Sequence, residues 1–218
     1  MSQKKNQSQW DDKPQIKKFL SRMKTPHEVQ GFLDSIPYNT DDLTRSALGV
    51  MESKKAHCFD GALFAAAALE FHGYPPLLMD LRSNGNDDDH VLAVFKTHGH
   101  FGAVAKSNFV GLRFREPIYR TLRELALSYF NSYINLEKER TLLEYSALIN
   151  LTRCQEPDWR CASPTISVYD PLADRLDRAK HYRLFSKKIE RLLQLADDRL
   201  LRGETVGLNK AGAFTSSA

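Results

Sequence analysis

The sequence predicts an α+β domain, with helices first, a compact antiparallel sheet next, and helices again at the end. Three observations carry this. Up to Gly73, apolar residues recur at helical spacing. Between Pro76 and Phe114 they gather instead into short runs separated by Gly, Asn and Asp clusters, the punctuation of hairpin-linked strands. From Pro117 the helical spacing returns.

The elements follow in order. Residues 1–12 are polar and read as a disordered tail. "KPQIKKFLSRMK" can form a short helix. Thr25, Pro26 and Glu28 then supply an N-cap, a proline at the first helical position and the third-position acid of a capping box, so "PHEVQGFLDSI" reads as a second helix. "IPYNTDD" is turn-rich, and Thr40 or Asp41 is expected to cap a helix through "LTRSALGVME". The helix opening at Cys58 runs to about Gly73, where Gly followed by "YPP" is a stop signal. "PLLMDL", "HVLAVFK" and "FGAVAK" read as strands, with "FVGLRF" a candidate fourth. "IYRTLRELALSYFNSYINL" reads as a helix, and "CQEPDWRCASPTISVYDP" as an irregular stretch with room for one short strand. Leu176, Ala179, Tyr182, Phe185, Ile189, Leu192 and Ala196 predict a closing amphipathic helix whose outer face carries Arg175, Arg178, Lys187, Lys188 and Arg191. One domain is therefore expected over 13–203, ending in a helical extension, with 204–218 as a second disordered tail.

Composition narrows the class. A chain of 218 residues can bury one good core, and 42% hydrophobic with 27% charged residues is ordinary for a soluble protein. No run of about eighteen apolar residues offers a membrane span, and "MSQKKNQSQWDDKPQ" has no apolar signal region. Three cysteines, odd in number, do not read as a disulfide framework, so free thiols in a reducing cytoplasm are expected. A net charge of +4 is too small for a nucleic-acid footprint, and the aromatic residues near the closing basic residues do not interleave with them in the manner of a stacking platform. That basic face reads as solvated, which leaves neither nucleic acid nor membrane as an expected partner. The sequence sets no oligomeric state.

One placement asks for an explanation. Cys58 stands at the first turn of an alanine-rich helix rather than inside an apolar stripe. Packing is the default role of a helical cysteine. The first turn also favours a thiolate, because unpaired amides and the macrodipole place positive charge there. A nucleophile needs a base, and His90 is the candidate, opening a strand directly after "NGNDDD". Asp60 reads as a structural early-helix acid, and His57 as an exposed loop histidine. His98 and His100 lack the C-x-x-C that would support zinc, and Cys154 and Cys161 read as lone structural thiols. The acids Asp87, Asp88 and Asp89 read as a solvated turn. No metal or cofactor is expected.

"AHCFDGALFAAAALEFHGYPP" resembles the nucleophile helix of the transglutaminase-like superfamily, relatives of the papain-type cysteine enzymes. Cys58, Asp60, Ala62, Gly73 and Pro75 or Pro76 fall on that pattern, and "HVLAVF" fits its histidine strand through His90. The likeness covers roughly residues 50–110. It implies a papain/transglutaminase-like fold in which the nucleophile helix packs on a small antiparallel sheet between N- and C-terminal helices. The family's orienting aspartate position is Ala105 here, and no acid stands between Phe101 and Arg115. Asn108 is the expected substitute, with Ser107 in its place if the hairpin register differs by one residue. The papain-type glutamine position holds Glu52, so a second oxyanion donor is unassigned. The resemblance implies acyl transfer or hydrolysis at an amide bond of a protein or peptide. The competing expectation is a binding or scaffold protein that keeps this fold without turnover.

Overall fold

The computed structural model describes residues 13–154 and 156–214. The expected N-terminal tail, residues 1–12, lies outside them, as do residues 215–218. Four helices lead the chain: α1 (Pro14–Leu20), α2 (Pro26–Ser35), α3 (Ala47–Ser53) and α4 (Cys58–Phe71). In α2 the expected capping box is present, with Glu28 N–H donating to Thr25 Oγ1 at 3.2 Å and Thr25 N–H to Glu28 Oε2 at 2.8 Å. α3 starts later than its sequence suggests. Its cap is Ser46, whose Oγ accepts from Gly49 N–H at 3.1 Å, while Asp41 pairs with Arg45 and Lys55. α4 carries no polar face, since Phe59 through Phe71 are all buried. Gly73 ends it in the left-handed conformation (φ 94°).

The antiparallel strands follow: β1 (Leu77–Ser83), β2 (His90–Thr97), β3 (His100–Val104), β4 (Arg115–Tyr119), β5 (Leu142–Ser146), β6 (Ile149–Asn150) and β7 (His181–Arg183). They form a sheet in the order β4-β3-β2-β1-β5-β7, with β6 also pairing to β1. The coarse α+β expectation holds. Side chains alternate across β2: Val91, Ala93 and Phe95 join the core under α4, while Leu92 and Val94 join a second core with Leu125, Tyr129, Tyr133 and Leu184. Two close approaches lock α4 and α2 to the sheet. A methyl group at Gly61 would lie 2.4 Å from Lys106 Cβ, so only glycine admits that crossing. Lys106 Nζ donates to the α2 carbonyls of Leu33 and Ile36 at 2.8 and 2.6 Å.

Three expectations fail for physical reasons. "FVGLRF" forms a 3-10 turn (Val110–Leu112) rather than a strand, and β4 begins only at Arg115. The helix expected from Ile118 shrinks to α5 (Leu122–Leu127), because Tyr129 and Tyr133 reach the second core through turns. The closing basic helix divides into α6 (Tyr169–Asp177), β7 and α7 (Lys187–Glu190). The break is a sheet contact: Tyr182 pairs with Tyr145, and His181 Nε2 lies 3.0 Å from Asp80 Oδ2 with both side chains buried. After α8 (Asp198–Glu204), residues expected as tail pack on the domain. Gly111 N–H donates to Glu204 Oε2 at 2.6 Å, and Lys210–Gly212 makes one 3-10 turn. No helix among the described residues is long and apolar enough to cross a membrane.

Candidate active site

α4 brings Cys58 to the sheet at a defined point. His57 is its N-cap, with Nδ1 accepting from Phe59 N–H at 3.1 Å while its own N–H donates to Asp60 Oδ1 at 2.6 Å. His57 is thus a partly buried structural cap rather than a loop histidine, and burial pushes it down to about 4, with Arg45 adding to the effect. Asp60 is fully buried, its Oδ2 has no hydrogen-bond partner among the described residues, and burial raises it to about 8. The neutral acid caps the helix and stays away from the chemistry.

Cys58 Sγ meets the free edge of β2, where β3 has already ended at Val104. The thiol donates to Asp89 O at 3.8 Å and has the Val91 N–H beside it, so the sulfur flanks the main chain of His90. Burial pushes the thiol up to about 12, and Asp88, Asp60 and Asp80 push it the same way. The helix-start field is outweighed here: it is worth about 0.3–2 kcal/mol, less than desolvating a thiolate.

His90 opens β2 as expected. Its ring leans toward the second core, with the Tyr129 and Tyr133 rings each 6.4 Å away. Nε2 sits 2.8 Å from the Leu112 carbonyl, and since a carbonyl only accepts, Nε2 carries the proton. A neutral ring then keeps its lone pair on Nδ1, the nitrogen nearer the main chain. Burial lowers His90 to about 4, the Leu112 bond opposing in part. Cys58 and His90 border one cavity of about 40 Å³, yet no direct hydrogen bond joins them among the described residues.

The expected third residue is elsewhere. Asn108 Nδ2 donates to Asn209 O and its Oδ1 accepts from Asn209 N–H, both at 2.8 Å, so its amide faces the C-terminal segment rather than His90. Ser107 Oγ accepts from Phe109 N–H at 3.0 Å, within its own turn. The reason is local. Gln30 takes the place of a further strand pair, donating to Ala105 O at 2.9 Å and accepting from Ala105 N–H at 3.0 Å, and the chain leaves the sheet before it reaches residue 107. The role expected of a side chain falls to the Leu112 main chain, which no residue type could have signalled.

Sequence reasoning also missed Tyr38. A parallel bridge between Tyr38 and Ala56 brings it beside α4, and the Cys58 main-chain N–H faces its hydroxyl. Burial holds that phenol well above its ordinary value, with the nearby Cys58, Asp88 and Asp60 acting in the same sense. A larger cleft of about 450 Å³ also borders Cys58, bounded among others by Tyr38, Asp80, Tyr169 and Gly212. All three cysteines are free thiols. Among the described residues no three His, Cys, Asp or Glu side chains gather as a metal site. Comparison with known families finds no family model that matches this chain, and comparison with curated proteins finds no match.

Proposed function

We propose that Cys58 and His90 form a transglutaminase-like thiol–imidazole site, at rest in an uncharged, partly covered state, that performs acyl transfer or hydrolysis at an amide bond of a protein or peptide. The observation that carries the reading is the His90 tautomer. With Nε2–H held by Leu112 O at 2.8 Å, the neutral ring keeps its lone pair on Nδ1, and His90 borders the same small cavity as Cys58. The nucleophile helix laid on an antiparallel sheet, with the histidine at a strand start, supports the papain/transglutaminase-like fold.

In this reading Nδ1 takes the thiol proton as Sγ bonds the substrate carbonyl carbon. The oxyanion receives the Cys58 N–H and the Tyr38 O–H, the second donor the sequence left unassigned. Nδ1–H then protonates the leaving amine as the C–N bond breaks, and water or a second amine opens the thioester. A scaffold without turnover is the second reading, favoured by the missing thiol–imidazole bond.

A peptide bearing a C-terminal Michael acceptor separates them. The expected result is one adduct by intact mass, mapped to Cys58 and lost in His90→Ala. Modification of Cys161 first, or an unchanged rate in His90→Ala, favours the scaffold.

A further inference from the structure

The residues that close the candidate site come from the far end of the described chain. After α8 the chain is anchored by Glu204 on Gly111 N–H and then crosses to Asn108, whose side-chain amide pairs with both main-chain groups of Asn209. That pairing reads the main chain at the start of the Lys210–Gly212 turn rather than a side chain. Gly212 comes next, pressed on Tyr38: a methyl group there would lie 2.7 Å from Tyr38 Cδ1 and 3.3 Å from Thr40 Cγ2. Ala211, Gly212 and Ala213 wall the 450 Å³ cleft, and Gly212 with Phe214 borders the cavity shared by Cys58 and His90.

We infer that the cleft beside Cys58 is a groove for a tightly turned peptide with small residues, and that residues 209–214, Asn-Lys-Ala-Gly-Ala-Phe, occupy its entrance in cis as a single 3-10 turn. Asn108 grips the peptide main chain, and the Tyr38 face admits only a residue without a side chain. Phe214 borders the small cavity that Cys58 and His90 share. The inference names the substrate class and the regulation of the site proposed above, and it rests on that reading for its catalytic meaning. Binding itself needs no turnover. While the segment is seated, Cys58 is half-buried and protonated; when it lifts, more water reaches the sulfur and the penalty on its thiolate falls.

The test uses full-length chains. Gly212→Val forces a side chain onto the Tyr38 ring, and Asn108→Ala removes both bonds to Asn209. Alkylation of Cys58, measured against Cys161 in the same molecule, should accelerate about tenfold or more in each. A tethered segment acts at an effective concentration in the millimolar range, so the hexapeptide Asn-Lys-Ala-Gly-Ala-Phe is added to Gly212→Val at several millimolar. It should slow Cys58 labelling saturably, and a peptide with valine at the glycine position should not. Unchanged labelling in both folded variants overturns the inference. Acceleration that the hexapeptide fails to reverse overturns the peptide groove. Protection by the hexapeptide without adduct formation by the electrophilic peptide supports the groove and defeats the catalytic reading, so the two fail separately.

Discussion

His90 donates its Nε2–H to the main-chain carbonyl of Leu112 at 2.8 Å, and the pair is buried. This contact has a pH signature. His90 titrates at about 4 in the folded chain, below the 6.5 of a free histidine, so the unfolded state binds the proton first. The stability it contributes is complete above pH 6.5 and is lost as pH falls toward 4. Denaturant unfolding at pH 7.5 and 4.5 should show the natural chain losing about 2–3 kcal/mol more than His90→Gln. His57 shifts in the same direction in both chains and cancels. Parallel losses in the two chains would mean that His90 is solvated.

Asp60 works in the opposite sense. Its folded value of about 8 exceeds the ordinary carboxylate value of 3.8, so the folded state holds a proton that the unfolded state has released. Its favourable contribution is present below about pH 4 and is lost as pH rises to 8. Asp60→Asn mimics the protonated acid and can keep the bond from His57 N–H. At pH 9 this variant should be more stable than the natural chain by at least about 1 kcal/mol, and at pH 4 the difference should vanish. Equal melting at pH 9 would sink the idea.

Tyr38→Phe removes a hydroxyl beside the Cys58 N–H while keeping the ring that meets Gly212. In the acyl-transfer reading the adduct rate with the electrophilic peptide drops by about 10²-fold, the scale of losing one oxyanion donor. Cys58 alkylation by a small neutral reagent stays within about threefold, because no oxyanion forms in that reaction. A variant that loses both rates equally assigns Tyr38 to packing alone.

Gln30 stands in for a strand. Replacing it with leucine leaves the buried Ala105 N–H and C=O without their partners, at a cost of roughly 2–4 kcal/mol in denaturant unfolding. A loss under about 0.5 kcal/mol would mean that the main chain finds other partners there.

Gly61→Ala drives a methyl group against Lys106 Cβ, and overpacking of this kind costs about 1–3 kcal/mol. Gly31 in α2 is the control, with nothing within 4 Å of an added methyl, and Gly31→Ala should stabilise by helix propensity. Reversed signs would misplace the α4 crossing.

What could be read in advance divides by range. Thr25, Pro26 and Glu28 act within one turn, so the start of α2 was legible. So were α4 and the hairpins from β1 to β3, whose apolar periods are local. Tertiary pairing overrode the rest. The stretch from Arg175 to Ala196 has a genuine helical period, but His181 finds Asp80, 101 residues away, and the segment becomes a strand. At the candidate site, Cys58 and His90 were visible as residue types at element starts. Asn108 was misplaced because the register argument extended β3 past Val104, where Gln30 in fact closes it. The Leu112 carbonyl was invisible because every residue has one.

The two borders of the sheet carry a further consequence. β7 has only three residues, His181–Arg183, of which Tyr182 and Arg183 are exposed. β4, at the other border, holds Pro117, which has no N–H to offer, beside Arg115 and Glu116, and its pairing to β3 slips register between Phe101 and Ala103. A neighbouring chain that tried to add a strand would meet a border too short on one side, and one missing a donor and charged on the other. This core of apolar strands is thereby kept from growing into a shared sheet, and the protein should resist strand-to-strand aggregation even at high concentration.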